Sequence, residues 1–212
     1  MLFLLDKILS QLQLAVNLDF SAKIEAYLAL LDRWNQVYNL TAVLDPRERM
    51  IKHIADSLAV APYLYTSMSS FLRFLDVGTG AGLPGIPLAL LFPDTHWTLL
   101  DSHSKKTHFL VQVKAQLGLD NVDVVHSRIE NYHPTKSVDH MITRAWTSLS
   151  QIIHKTQHVF KGHAGTIWAM KGVYPAQELK DLVALSSSYD VYQLIVPELA
   201  EERHLVKIAI SV

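Results

Sequence analysis

LDVGTGAGLPG, residues 75–85, places Gly78, Gly80, Gly82 and Gly85 directly behind an apolar run. Glycines in that position let the chain turn tightly and let a ligand lie against bare backbone, while the helix that follows offers unpaired N–H groups. Gly80-Ala81-Gly82-Leu83-Pro84-Gly85 satisfies GxGxxG, and Asp101 follows Gly80 by 21 positions at the end of the strand-like HWTLLD. An acid at that spacing can accept hydrogen bonds from a ribose diol, so an adenosine ligand is expected. Asp76 narrows the choice. At the carboxyl end of the first strand its charge repels a pyrophosphate and favours a cation, which suits S-adenosylmethionine, with its ammonium and sulfonium, better than NAD. No Gly-Lys-Ser/Thr follows the loop, so a P-loop is excluded.

Outward from the loop the rhythm is strand and helix in alternation. Strands are expected near 72–77, 96–101, 121–126, 138–143 and 165–170, with helices near 84–92, 104–117, 147–160 and 175–186. Such alternation predicts a parallel sheet covered on both faces. The runs 191–196 and 204–210 have no helix between them and are expected to pair antiparallel at one edge. Residues 1–65 read as a helical extension packing on a catalytic domain of residues 66–212. Ile24, Tyr27, Leu28, Leu31, Trp34 and Tyr38 form one apolar stripe, which assigns Trp34 and Tyr38 to the interface with the sheet rather than to a base. Asn39-Leu40-Thr41 closes that helix. Asp45-Pro46-Arg47-Glu48 starts the next one, with Met50, Ile54 and Leu58 on its apolar side. Arg49, Lys52, His53 and Asp56 share a separate stripe, expected to face water or a ligand.

Composition sets limits. The 212 residues are half apolar and carry a formal net charge of −1, so no global field attracts nucleic acid, and contacts to a polyanion must be local. With no cysteine, disulfides, thiolate metal sites and cysteine nucleophiles are excluded. The histidines include no HExxH motif, and no metal is expected. Asp6 interrupts the opening MLFLL and no basic residue precedes it, which argues against a signal peptide; no apolar run is long enough to span a bilayer. A cytoplasmic monomer without membrane contact is the expectation.

Several stretches together resemble one family, the bacterial small-subunit rRNA methyltransferase RsmG, or glucose-inhibited division protein B: RWNQVYNLTAV (33–43), HIADSL (53–58), FLDVGTGAGLPGIPLA (74–89), LLDSHSKKTHFL (99–110), SRIE (127–130), ITRA (142–145), MKG (170–172) and ERHLV (202–206). The resemblance implies a Rossmann-like class I methyltransferase: a mostly parallel seven-stranded sheet with helices on both faces, an antiparallel C-terminal edge and the N-terminal helical extension. It implies methyl transfer from S-adenosylmethionine to N7 of a guanine in 16S rRNA, within the decoding region of the small ribosomal subunit. Carried over by motif, cofactor contacts fall to Gly78, Gly80, Leu83, Ile129, Glu130 and Arg144, joined by Asp76 and Asp101 from the electrostatic and ribose arguments. His103 and Ile129 depart from the family's common residues.

N7 of guanine carries an in-plane lone pair, so its methylation needs no general base. A cation donating to N7 would block the nucleophile. Arg144, Lys171 and Arg203 are therefore candidates for holding cofactor carboxylate, RNA phosphate or guanine O6, with Asn39 and His53 as further substrate-positioning candidates. Arg47, Arg49, Lys52, Lys105, Lys106 and Lys114 are candidate phosphate contacts. Three other readings are a small-molecule methyltransferase, allowed by the near-neutral charge, an NAD-dependent oxidoreductase, allowed by the literal GxGxxG, and a cofactor-binding regulator without catalysis.

Overall fold

The structure, a computed structural model, describes residues 2–65, 71–160, 162–184 and 188–211. The expected boundary after residue 65 and the last residues of the expected helix 175–186 fall partly outside them. The chain begins with α1 (Leu2–Gln11) and α2 (Phe20–Tyr38), and continues through α3 (Pro46–Arg49), a π-helical turn (Met50–Ala55), α4 (Asp56–Leu58) and α5 (Ala61–Tyr65). Asp45 caps α3 by accepting from Glu48 N–H at 2.8 Å, as its position before Pro46 predicts. Strands and helices then alternate: β1 (Arg73–Val77), α6 (Gly85–Leu91), β2 (His96–Asp101), α7 (Ser104–Leu117), β3 (Val122–His126), β4 (His140–Arg144), α8 (Leu149–Thr156), β5 (Gly165–Lys171) and α9 (Ala176–Ala184). The chain ends with β6 (Tyr189–Leu194) and β7 (Arg203–Ile210). The expected helix 147–160 is α8 followed by a 3₁₀ turn over Gln157–Phe160.

The seven strands run in the order β3-β2-β1-β4-β5-β7-β6. The first five are mutually parallel, and β7 is antiparallel to both β5 and β6. Strand order reverses between β1 and β4, and open α/β sheets bind ligands at the carboxyl ends flanking that reversal. The stretches FLDV (74–77) in β1 and MIT (141–143) in β4 are buried on both faces because helices cover both. On one face, α1, α2, the 46–65 helices, α6 and α7 share one apolar core with Phe74, Trp97 and Trp168. On the other, Leu149 and Ile152 of α8 and Leu179 and Leu182 of α9 pack on Leu75, Met141 and Ile167.

The N-terminal helices therefore share their core with the sheet. Trp34 packs on Phe109 of α7 with ring centroids 5.7 Å apart, as the stripe predicts. Tyr38 is half-exposed, and Lys105 Nζ stands 5.6 Å from its ring centroid. The polar stripe of the 46–58 run departs from a solvated face: Arg49, His53 and Asp56 are 5%, 7% and 3% exposed. Arg49, expected among the phosphate contacts, is instead turned inward. Its Nη1 donates to Asp32 at 2.7 Å and its Nε to the Val43 carbonyl at 2.7 Å.

Candidate active site

Gly78 and the turn behind it are fixed from below. Asp76, at the end of β1, is fully buried; its Oδ2 accepts from the Thr79 hydroxyl at 2.6 Å and from Gly85 N–H at 2.9 Å, and its Oδ1 has no hydrogen-bond partner. Burial pushes its carboxyl up to about 6, against the opposing hydrogen bonds from Thr79 and Gly85. Gly85 has to be glycine because a Cβ there would stand 2.3 Å from Leu99 Cδ2 and 2.7 Å from the same Asp76 oxygen. Tyr27 of α2 supports the loop from the other side, its hydroxyl donating to the Ala81 carbonyl at 2.8 Å. Burial drives that hydroxyl well above the usual phenol range, so it stays a neutral donor. Sequence periodicity assigned Tyr27 to the apolar stripe; only its polar tip reveals the second task.

A cavity of about 320 Å³ opens above this loop, lined at the strand ends by Val77, Gly78, Leu100, Asp101, Arg128, Ile129 and Glu130, and closed by Ala145 and Trp146. Asp101 forms its wall: Oδ2 accepts from Gly80 N–H at 2.9 Å, and Oδ1 accepts from His103 N–H at 2.9 Å and lies 2.9 Å from His103 Nδ1. Gly78, at φ +70°, faces Trp146, whose Cδ1 would meet an added Cβ at 3.1 Å. Of the residues expected at the cofactor, Gly78, Asp101, Ile129 and Glu130 line this cavity. Asp76, Gly80 and Leu83 do not; the first two build the loop's hydrogen bonds and Leu83 is buried in the core beneath it. Arg144, also expected here, faces away.

Arg144 belongs to a second cavity, of about 470 Å³, lined by Val43, Lys52, His53, Asp56, Arg144, Met170, Lys171 and Arg203 among others. Ala145 lines both cavities, so they meet at the end of β4. Ala145 holds φ +52°, a left-handed backbone that ordinary side chains avoid at a cost. Arg144 Nη1 donates to Asp56 Oδ2 at 2.8 Å and to the Lys52 carbonyl at 3.0 Å. That carbonyl lies in the π-helical turn, a wider turn that is frequent at functional positions. Arg203 Nε donates to Asp56 Oδ1 at 2.9 Å. Lys171 Nζ donates to Glu178 at 2.8 Å and to the Thr147 carbonyl at 2.9 Å.

His53 Nε2 lies 2.8 Å from the Thr41 hydroxyl, and its buried Nδ1 is without a partner. Burial, with Arg144 adding to it, lowers this imidazole to about 4, so it is neutral at pH 7. Asn39 is the one expected positioning residue that lines neither cavity: exposed at φ 49°, it caps α2 through its N–H to the Asn35 carbonyl. Its neighbours carry the connection instead, since buried Asn35 accepts from Thr41 N–H at 2.8 Å and Thr41 reaches His53. Asp56 is what sequence reasoning undervalued. Its signals are the helical face it shares with His53 and its place in HIADSL (53–58), which allow a cleft position for both but do not point to its arginine partners.

A sheet of this order, with a glycine turn after β1, an acid ending β2 and an antiparallel β7, defines the fold of a Rossmann-like class I methyltransferase. The cavity above the loop fits the cofactor of that class: glycine leaves its floor bare, the acid that ends β2, Asp101, lines its wall, and no phosphate-binding lysine follows the turn. Solved structures agree in fold. A SAM-dependent methyltransferase from Aquifex aeolicus aligns with TM-score 0.59 and 17% identity over 88% of this chain and 98% of that one. A human methyltransferase 10 domain containing protein aligns with TM-score 0.61 and 16% identity over 87% and 95%. The sequence model of one family, described as rRNA small subunit methyltransferase G, matches residues 21–206. Proteins named ribosomal RNA small subunit methyltransferase G are 51% identical in Hydrogenovibrio crunogenus, over 88% of this chain and 84% of the relative, and 44% identical in Edwardsiella ictaluri, over 95% and 96%. The chain belongs to the rRNA small subunit methyltransferase G family.

Proposed function

We propose that the protein methylates N7 of a guanine in the 16S rRNA of the small ribosomal subunit, with S-adenosylmethionine as donor. The observation that carries this reading is the meeting of two cavities at Ala145: one at the glycine loop and ribose acid, the other floored by Arg144, Lys171 and Arg203. S-adenosylmethionine supplies an electrophilic methyl group beside a sulfonium. Gly78, Asp101, Ile129 and Glu130 hold the adenosine end, and Asp76 keeps the turn in shape from beneath.

The chain's own work is then positioning. Guanine N7 needs no proton removed, so neutral His53 need not act as a base. Holding N7 on the line of transfer can contribute about 7 to 11 kcal/mol. Arg144, Lys171 and Arg203 line the second cavity where they can engage O6 or phosphate. Local cations of this kind reconcile an rRNA substrate with a net charge of −1.

No helix among the described residues is long and apolar enough to cross a membrane, and among them no group of three or more His, Cys, Asp or Glu side chains could hold a metal ion. A cytoplasmic monomer acting on 16S rRNA or the small subunit is part of the proposal. Its test is transfer of labelled methyl from S-adenosylmethionine to small-subunit RNA lacking the modification. Label at guanine N7 is expected; label on another atom, or none, removes the reading.

A further inference from the structure

The second cavity has an acid where its expected ligand is an anion. Asp56 is the only carboxylate among its described lining residues, which otherwise include Lys52, Arg144, Lys171 and Arg203 with neutral His53. Its two oxygens are divided between guanidiniums arriving from β4 and β7, at 2.8 and 2.9 Å. The carboxylate is 5% exposed at its side chain, whereas Arg144 and Arg203 keep 20% and 23% of theirs open. The acid therefore lies behind the two cations, seen from the cleft.

As a device for stability this arrangement is poor, because burying an ion cluster costs about as much as its attraction returns. Its effect on a guanine is more specific. An unrestrained arginine reads guanine by a two-pronged hydrogen bond to O6 and N7, and this would cover the lone pair that must attack. Here Arg144 has Nη1 committed to Asp56 and to the Lys52 carbonyl, and Arg203 has Nε committed to Asp56 and Nη1 to the Glu202 carbonyl. Among the described residues Nη2 of Arg203 has no hydrogen-bond partner, and neither Nε nor Nη2 of Arg144 has one.

We propose that Asp56 is a positioning residue for the base: it holds Nε of Arg203, so that this arginine offers O6 or phosphate a single donor and leaves N7 uncovered, and it ties Arg144 by Nη1, fixing where its free Nε–Nη2 edge points. It also lowers the charge of the arginine pair by one unit, limiting the hold of the cleft on indiscriminate phosphates. This inference rests on the proposed guanine-N7 reading.

Asp56→Asn keeps the shape of the side chain and removes its charge. Three quantities read the result: affinity for S-adenosylhomocysteine, affinity for small-subunit RNA as a function of salt, and the single-turnover rate of N7 methylation. Cofactor affinity should stay within about twofold and the rate should fall about 10- to 100-fold. RNA binding should be unchanged or tighter, its salt dependence steeper by about one counterion. Asp56→Glu, which restores charge but displaces it, should return the salt dependence to that of the unsubstituted protein and recover only part of the rate. A rate unaffected in the Asn variant overturns the proposal, as does a rate, cofactor affinity and melting temperature that fall together in both variants. If the unsubstituted protein methylates no guanine N7, both readings go; if it does and only the variants disappoint, the Asp56 assignment alone is lost.

Discussion

The cavity above the glycine loop takes most of its lining from strand ends and the turns after them, with Lys106 of α7 and Lys155 of α8, whereas the adjoining cleft gathers Lys52, His53 and Asp56 from the N-terminal helices, Arg144 from β4, Lys171 from β5 and Arg203 from β7. The first is shorter-range architecture: Asp76 to Gly85 joins the end of β1 to the turn that follows it, and Asp101 to Gly80 joins the end of β2 to the turn after the neighbouring β1. The second is held by charges separated by 88 and 147 positions, meeting on one carboxylate. The difference teaches that binding the donor and presenting the acceptor are separable tasks, so damage to one half should leave the other readable.

The largest expected effect falls on the loop. Gly85→Ala forces a methyl group into Leu99 and Asp76, and should destabilise the fold by about 3 kcal/mol in urea titration while abolishing cofactor binding. Retained cofactor affinity in that variant would show that the loop is more compliant than its contacts imply. Asp101→Ala is milder. It removes the acid that holds Gly80 and His103 at the wall of the proposed cofactor cavity, and should weaken S-adenosylhomocysteine by about 2 kcal/mol, roughly 30-fold, in calorimetry. At saturating cofactor its turnover should be nearly normal; a large loss of turnover would erase the division between the halves.

A third test uses the opposite protonation preferences of one group from each half. His53, lowered to about 4 from an unfolded value near 6.5, contributes stability above 6.5 that is lost as pH falls toward 4. Asp76, raised to about 6 from 3.8, does the reverse: its contribution is full below 3.8 and is lost as pH rises through 6. Between pH 6 and 4 the two oppose each other. Relative to the unsubstituted chain, Asp76→Asn should therefore lose stability as pH drops through that window, and His53→Gln should gain it, each by about 1 kcal/mol per pH unit. Denaturant titrations at several pH values decide; slopes of the same sign would mean that one group is not buried as described.

The smallest effect belongs to the rim. Lys52 lines the cleft and is only loosely paired, at 3.5 Å from Glu48 and 3.9 Å from Glu201. Lys52→Ala should weaken RNA binding evenly across sequences and flatten its salt dependence by about one counterion, without changing cofactor affinity. No change in the salt slope would place the RNA elsewhere.

How far each half could be read from the sequence follows from the same division. The glycine spacing, the acid at the end of β2 and the alternation of apolar runs are local signals, and they led to the strands, the parallel sheet and its antiparallel edge within a few residues. The 46–58 helix shows the limit. Periodicity separated Met50, Ile54 and Leu58 from Arg49, Lys52, His53 and Asp56, but it could not say that the second stripe also turns inward, because a polar face looks alike toward water or toward the guanidiniums of distant strands. Asn39 shows the converse: a polar residue inside a strong motif that spends its backbone on a helix end.

The amino-acid order alone determined the doubly covered sheet and the cofactor turn, since both arise from contacts between neighbouring segments whose residue types carry the message. Tertiary structure alone decided that Asp56 joins Arg144 to Arg203, that Tyr27 steadies the glycine loop and that Ala145 stands between two cavities. These depend on which distant side chains arrive within hydrogen-bond reach, and burial turns that proximity into energy only after the chain has folded.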